Sequence, residues 1–164
     1  MIFHLTTGLP GSGKTSHART LEALRFSLDD YRAMMDSGSA IWAAEGKLGQ
    51  RFWDNGRERI AVTAMIASLR AALLAGYDVV ADNTHIVPRL PLRYRQEFSD
   101  LELEFQVHDF TSVSVDECIK RDAERLNSVG AKVIYVLAGR YNKAREEGWQ
   151  LTNEWMNGVA VSNV

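Results

Sequence analysis

A chain of 164 residues, 46% hydrophobic and 24% charged, has the size and balance of one compact domain and is too short for two full cores. Its formal net charge of -2 excludes a broadly basic nucleic-acid binder, though not an enzyme that holds such a substrate briefly. The single Cys118 excludes an internal disulfide, and no signal-peptide pattern or membrane-length apolar run is present, so a cytoplasmic protein without a membrane span is expected.

Ile2 to Thr6 is β-branched or apolar, ends at Gly8, and reads as the first strand. A helix should run from near Gly13 to about Leu24, followed by a short strand at Arg25 to Leu28. Asp29 and Asp30 can cap a short helix reaching Met35, and Asp36 to Ser39 reads as a loop. The most regular helix lies between Arg51 and Ala75, with Val62, Met65, Ile66, Leu69 and Leu73 on one face and Gly76 as its stop. Tyr77 to Ala81 is expected as a buried strand, Pro88 to about Phe98 as a helix, and Leu103 to Val107 as a further strand. Helices should follow at Val115 to Leu126 and Lys132 to Glu147, and Gly158 to Val161 could add a last strand. Strands alternating with helices imply an α/β fold, with a central parallel sheet flanked by helices and ligands bound beyond the carboxyl ends of the strands. Gly8 to Thr15, Asp29 to Arg32 and Asp82 to His85 all follow expected strands, so three chemically loaded segments should meet at one sheet edge.

Gly8-Leu9-Pro10-Gly11-Ser12-Gly13-Lys14-Thr15 matches G-x-x-x-x-G-K-[ST] without a mismatch. Glycines let the backbone wrap so that successive N–H groups point at phosphate oxygens, so Gly8, Gly11, Ser12 and Gly13 form an expected nucleotide cradle. Lys14 would reach the β- and γ-phosphates of ATP, and the Thr15 hydroxyl would hold Mg²⁺. A strand before the motif and a helix after it are the context that separates a phosphate cradle from a chance glycine turn. Asn142-Lys143-Ala144-Arg145 lacks the aspartate of a guanine-reading N-K-x-D segment, and no ABC or AAA+ signature segment is evident, which favours a small kinase.

A kinase must orient a hydroxyl in line with the γ-phosphate and accept its proton, which an aspartate of Asp29-Asp30-Tyr31-Arg32 could do. Arg32 could hold an anionic group of the acceptor through a forked contact, although the same residues also suit a capped, solvated helix start.

With these residues the chain resembles the 5′-polynucleotide kinases of the bacteriophage T4 type. The P-loop, Asp29 to Arg32, Val79 to Pro88, and Arg121 with Arg125 match in order and approximate spacing. The resemblance implies a P-loop kinase fold over residues 1–164 with a small helical lid at roughly 115–131. It implies transfer of the γ-phosphoryl of ATP to the 5′-hydroxyl end of a DNA or RNA strand. Asp29 is then similar to the general base, Arg32 to the grip on the neighbouring acceptor phosphate, and Arg125 to the lid arginine that stabilises the transferred charge. Arg121 stands beside Arg125 at the nucleotide, and Asp82 and Thr84 fall in the acceptor-binding run. The four-residue spacing independently places Arg121 and Arg125 together on one helix face, although Lys120, Arg121 and Arg125 also suit a solvated face.

The chain departs from the family pattern at Asp82-Asn83-Thr84-His85, which leaves open whether Asp82 or Asn83 faces the site, and His85 reads as a surface-loop histidine. Val129-Gly130-Ala131 also lacks the expected Val-Pro pair, and no phosphatase segment is found. Arg51, Arg57 and Arg59 with Phe52 and Trp53, and Arg89, Arg93 and Arg95 with Tyr94, could each form a nucleic-acid rim. His4 reads as structural, His17 and His108 as no metal site, and Cys118 as inert packing. A kinase of a small hydroxylated metabolite, nucleoside or nucleotide sugar, as in zeta-toxin-like enzymes, is the alternative reading; a nucleotide-binding module without catalysis is a third. A homo-oligomer is also left open.

Overall fold

Alternation along the first strand sets the architecture. The structure, a computed structural model, describes residues 1–35 and 55–158. In β1 (Ile2–Thr7), Phe3 and Leu5 enter the main apolar core, whereas His4 and Thr6 turn to the other face and are buried there. β2 (Leu24–Phe26), β3 (Val79–Ala81) and β4 (Glu104–Asp109) complete a four-stranded sheet in the order β2-β3-β1-β4. Every pairing is parallel, with Phe3 opposite both Val79 and Phe105. The chain therefore leaves β1 at the centre of the sheet, where neighbouring connections diverge and a crevice opens.

The helices are α1 (Lys14–Ala18), α2 (Leu28–Met35), α3 (Asn55–Leu74), α4 (Arg89–Glu97), α5 (Val115–Ala123), α6 (Ala131–Glu146) and α7 (Asn153–Met156). On α3 the expected stripe holds: Met65, Ile66, Leu69 and Leu73 are buried against the sheet and Val62 packs beside them. Tyr94 and Phe98 of the α4 region close over Phe3, with ring centroids 5.1 and 5.5 Å from it. A second cluster joins Leu9 of the P-loop, Ile86, Cys118 of α5 and Ile134 of α6, so α5 and α6 rest directly on the Gly8 to Thr15 loop.

Several boundaries differ from expectation for identifiable reasons. α1 stops at Ala18 instead of Leu24, because the Thr20 hydroxyl donates to His17 O at 2.8 Å and competes with the next helical turn. Asp29 and Asp30 do not precede α2 but lie inside its first turn. β3 begins only at Val79, since Asp78 Oδ1 accepts the Ile2 amide at 2.7 Å and fixes the strand entry. α5 ends at Ala123 instead of Leu126, because Asp122 accepts hydrogen bonds from Ser128 and Gly130 and turns the chain back.

The exposed side of β4 is covered in an unusual way. Asn157 Oδ1 accepts from Phe105 N and its Nδ2 donates to Phe105 O, both at 2.9 Å, while Asn153 Oδ1 accepts from Val107 N at 2.6 Å. Arg51, Phe52 and Trp53, the expected loop at 36–39, and the suggested strand beyond Gly158 lie outside the described residues. Among the described residues no helix is long and apolar enough to cross a membrane.

Candidate active site

The segment Gly8 to Thr15 leaves β1 and enters α1 as a closed loop. The Gly8 amide donates to Thr84 O at 2.9 Å and the Ser12 amide to Leu9 O at 3.2 Å. The amides of Gly11, Gly13, Lys14 and Thr15 donate to no acceptor among the described residues, leaving a ring of N–H groups for an anion. Gly11 has φ +81°, and a Cβ there would stand 2.2 Å from the Cys118 carbonyl oxygen. Glycine is thus required both by the left-handed backbone and by the close approach of α5.

Lys14 is buried, and its Nζ donates to Leu9 O at 2.6 Å and to Ser12 Oγ at 3.3 Å. Burial pulls the Lys14 ammonium down to about 8, with Asp82 and Asp29 acting in the opposite direction. An underpaired cation among unpaired amides fits a polyphosphate. Thr15, the second residue of α1, offers the hard oxygen that a magnesium ion accompanying that polyphosphate needs. Among the described residues no cluster of three or more His, Cys, Asp or Glu side chains could hold a metal by itself.

Across the crevice, Asp29 and Arg32 line a cavity of about 550 Å³ together with Asn83 and Thr84. Arg32 Nη1 donates to Asp29 Oδ1 at 2.6 Å, and its Nε and Nη2 donate to the two carboxylate oxygens of Glu58 at 3.0 and 2.6 Å. Burial works against the Arg32 charge, but the hydrogen bonds and charges of Glu58 and Asp29 outweigh it and raise the guanidinium above its ordinary range. Arg32 is therefore held in one pose by the two carboxylates.

The polar run after β3 divides between two sides. Asp82 is buried beneath the P-loop strand, where Arg25 Nη1 donates to it at 2.8 Å and Thr6 Oγ1 lies 3.5 Å away. Arg25 also pairs with Asp30, joining β2, α2 and β3. Asn83 is the residue lining the cavity, and its Oδ1 accepts the Leu28 amide at 2.9 Å, setting the start of α2 just before Asp29. Thr84 lines the same cavity while its carbonyl accepts from Gly8 N and Thr7 Oγ1.

His85 is not a surface histidine. It is buried with φ 43°, its Nδ1 is 2.6 Å from Thr6 O and its Nε2 3.4 Å from the Tyr94 hydroxyl. Burial drives its imidazolium form down to about 4, partly opposed by the Thr6 carbonyl. The other three histidines also meet: His108 Nε2 is 3.1 Å from His4 Nδ1, and His108 Nδ1 is 2.9 Å from His17 Nε2. His108 is lowered to about 4 by burial and by its two neighbours.

Folded-state values below the unfolded 6.5 mean that the unfolded chain binds more protons between the two, so stability should be full above pH 6.5 and fall towards pH 4. The His85 share is about 3 kcal/mol on the scale of 1.4 kcal/mol per pH unit. Denaturant unfolding at pH 7 and pH 5 measures the loss. His85→Asn, which tolerates the left-handed backbone, should show a shallower acid-side fall, and an unchanged slope would exclude this assignment.

In the lid, Arg121 pairs with Glu117 at 2.6 Å, and Arg125 lies beyond the end of α5. The two arginines are thus not consecutive turns of one helix. Asp122 is the cause: its Oδ2 accepts from Ser128 Oγ at 2.6 Å and Gly130 N at 3.0 Å, folding the chain back after Ala123. Its buried Oδ1 has no hydrogen-bond partner and faces Arg125 Nη1 at 3.6 Å. The Arg125 charge reaches Lys14, whose ammonium it depresses further. Cys118 is buried in the lid cluster and its thiol is pushed up by burial, as inert packing requires.

Glu58, Arg25 and Asp122 escaped sequence reasoning. Each works through a partner chosen by the folded chain, and Glu58 lies 26 residues from Arg32. Only the proximity of Asp122 to Ser128 and Gly130 offered a local signal, a short acid before a turn.

Residues 3–146 match a family described as an AAA domain, AAA_33. In the Pnkp1/Rnl/Hen1 RNA repair complex, a chain with 20% identity and a TM-score of 0.68 is similar to this one, covering 92% of this chain and 47% of that chain. This chain thus spans about half the length of that repair-complex chain. A candidate kinase of Chloroflexus aurantiacus j-10-fl matches at 14% identity and TM-score 0.62, covering 87% of this chain and 79% of that one. The tunicamycin resistance protein of Deinococcus radiodurans matches at 17% and 0.52, covering 96% and 92%. No curated protein sequence matches. The family carries the AAA name even though no AAA+ signature segment beyond the P-loop is read in the sequence. With that match over most of its length, and with its P-loop at the end of the central parallel strand, the chain belongs to the AAA_33 family and has the P-loop kinase fold.

Proposed function

We propose that the protein transfers the γ-phosphoryl group of ATP to the 5′-hydroxyl end of a DNA or RNA strand. The observation that carries this reading is the pairing of two half-sites: the buried Lys14 in its ring of amides, and the Asp29/Arg32 cavity whose acid already acts on the Lys14 charge. The loop amides and Lys14 would hold the β- and γ-phosphates, and Thr15 would hold magnesium, which when bound shields charge between those phosphates. Asp29 would take the proton as the 5′-oxygen attacks phosphorus and the bond to the bridging oxygen of ADP breaks. Arg125, held at the lid turn by Asp122, would approach the charge on the transferred group. Arg32 would hold the acceptor phosphate next to the reacting nucleoside.

A chain in an RNA repair complex shares this fold, which agrees with a nucleic-acid acceptor. A protein named for tunicamycin resistance shares this fold, and a small hydroxylated acceptor is kept as the second reading. Incubation with γ-labelled ATP, Mg²⁺ and a panel of 5′-hydroxyl oligonucleotides and small hydroxylated compounds separates the two. Label on small compounds alone would exclude the first. Asp29→Ala should lower kcat roughly 10²–10⁴-fold with ATP affinity nearly unchanged, since the acid serves proton transfer and not phosphate binding. Undiminished turnover would remove Asp29 from the base role.

A further inference from the structure

Charge is distributed unevenly over this molecule. The whole chain carries a formal net charge of -2, yet the acceptor cavity is lined by Arg32, Arg59, Arg89 and Arg93 against only Asp29 and Glu58. Both carboxylates are engaged with Arg32. Arg59 and Arg89 make no ion pair among the described residues, and Arg93 meets only the exposed Glu97, at 3.3 Å. Besides Arg32, the cavity therefore presents three guanidinium groups, two with no ion pair among the described residues and one paired only with an exposed carboxylate.

Their placement is fixed by the fold. Arg89 and Arg93 stand one turn apart on α4, roughly 5–6 Å between their Cβ atoms, so both can face one extended anion. α4 is anchored by Tyr94, which is fully buried between Phe3, Phe98 and His85. Arg59 approaches from α3, one residue after the Glu58 that clamps Arg32. Arg95, by contrast, is turned away over the Trp155 ring at 4.8 Å and belongs to the packing of α7.

We propose that Arg59, Arg89 and Arg93 form a second anion subsite that takes backbone phosphates of the acceptor strand beyond the one held by Arg32. The site then selects a strand carrying several phosphates over a mononucleotide or an uncharged metabolite. This rests on the nucleic-acid reading above. Guanidinium groups bind phosphate through forked contacts and release counterions as they do so, which lowers KM for longer acceptors without changing the chemical step.

The test uses the full chain in the label-transfer assay with a 3′-phosphorylated nucleoside and a 5′-hydroxyl pentanucleotide, beside anisotropy binding of the pentanucleotide over a salt series. In the wild type, KM for the pentanucleotide should be at least about tenfold lower, with kcat values within a few-fold of each other. R89A/R93A should close that gap and reduce the slope of log K against log salt by roughly 0.7 per lost contact, with R59A acting in the same direction. R89K/R93K should keep most of the salt slope, which a purely structural role would not predict. Equal KM values for the two acceptors, or a gap that survives R89A/R93A, would overturn the subsite while leaving the kinase reading intact. Label transfer to small metabolites and to neither nucleic-acid acceptor would overturn both.

Discussion

Gly11→Ala is expected to abolish nucleotide binding and lower the melting temperature together. Two costs coincide at this position. The left-handed backbone at φ +81° disfavours any Cβ by roughly 1–2 kcal/mol. The added carbon would also lie 2.2 Å from Cys118 O and 3.0 Å from Cys118 C, and both atoms belong to a helix backbone that cannot rotate away. Either α5 shifts as a body, breaking the Leu9–Ile86–Cys118–Ile134 cluster, or the loop abandons its closed form and its inward amides. Overpacking of this kind costs about 1–3 kcal/mol in addition. Gly13→Ala is the matched comparison, since φ is +102° but no atom lies within 4 Å of the new carbon. Calorimetric ATP binding and thermal melting of both variants decide the matter. If Gly11→Ala behaves like Gly13→Ala, contact with α5 does not govern the loop.

Lys14→Met should reduce phosphoryl transfer by three orders of magnitude or more, about 4 kcal/mol of transition-state stabilisation. The same residue predicts a proton effect that needs no turnover. Its ammonium is held at about 8 in the free protein against 10.5 when exposed, because burial outweighs the aid of Asp82. Between those values the unfolded chain binds more protons, so stability should rise with pH from about 8 to 10.5, by an amount near 3 kcal/mol at most. A triphosphate beside Lys14 restores the charged form, so ATP binding at pH 8.5 should take up protons. Titration calorimetry in two buffers of different ionisation enthalpy measures that uptake, and Lys14→Met should erase it. Buffer-independent heats in the wild type would contradict the assigned pose of Lys14.

Much of this arrangement is legible in the sequence, because its signals are local. The P-loop needs particular residues at particular spacings, and the apolar stripe of α3 is a pattern within one helix. The position of Asp82 against Asn83 was not decidable in that way. β3 reads Val79-Val80-Ala81 and is buried on both faces, so no alternation of polar and apolar residues indicates which face the next side chain takes. The answer lies in Arg25, 57 residues away, which draws Asp82 beneath the sheet end and leaves Asn83 to the cavity. His85 misled for a similar reason: it follows a strand as a loop residue would, yet the Thr6 carbonyl and Tyr94 hydroxyl pull its ring inward. The lid arginines showed the limit of spacing alone. Four residues imply one helix face only while the helix lasts, and Asp122 ends it between them.

The asparagines that cover β4 carry a consequence for how this molecule meets others. A strand at the margin of a sheet is a template, because its unpaired amides and carbonyls accept any extended chain of suitable length. Asn153 and Asn157 present amide oxygens and an amide nitrogen to the Phe105 and Val107 backbone, imitating the hydrogen bonds a neighbouring strand would make. On this side the sheet is closed to recruitment, and the three-residue β2 is the short margin left among the described strands. A second copy of the chain, or any extended peptide, therefore finds no free amide or carbonyl at Phe105 and no free amide at Val107 from which to lengthen the sheet.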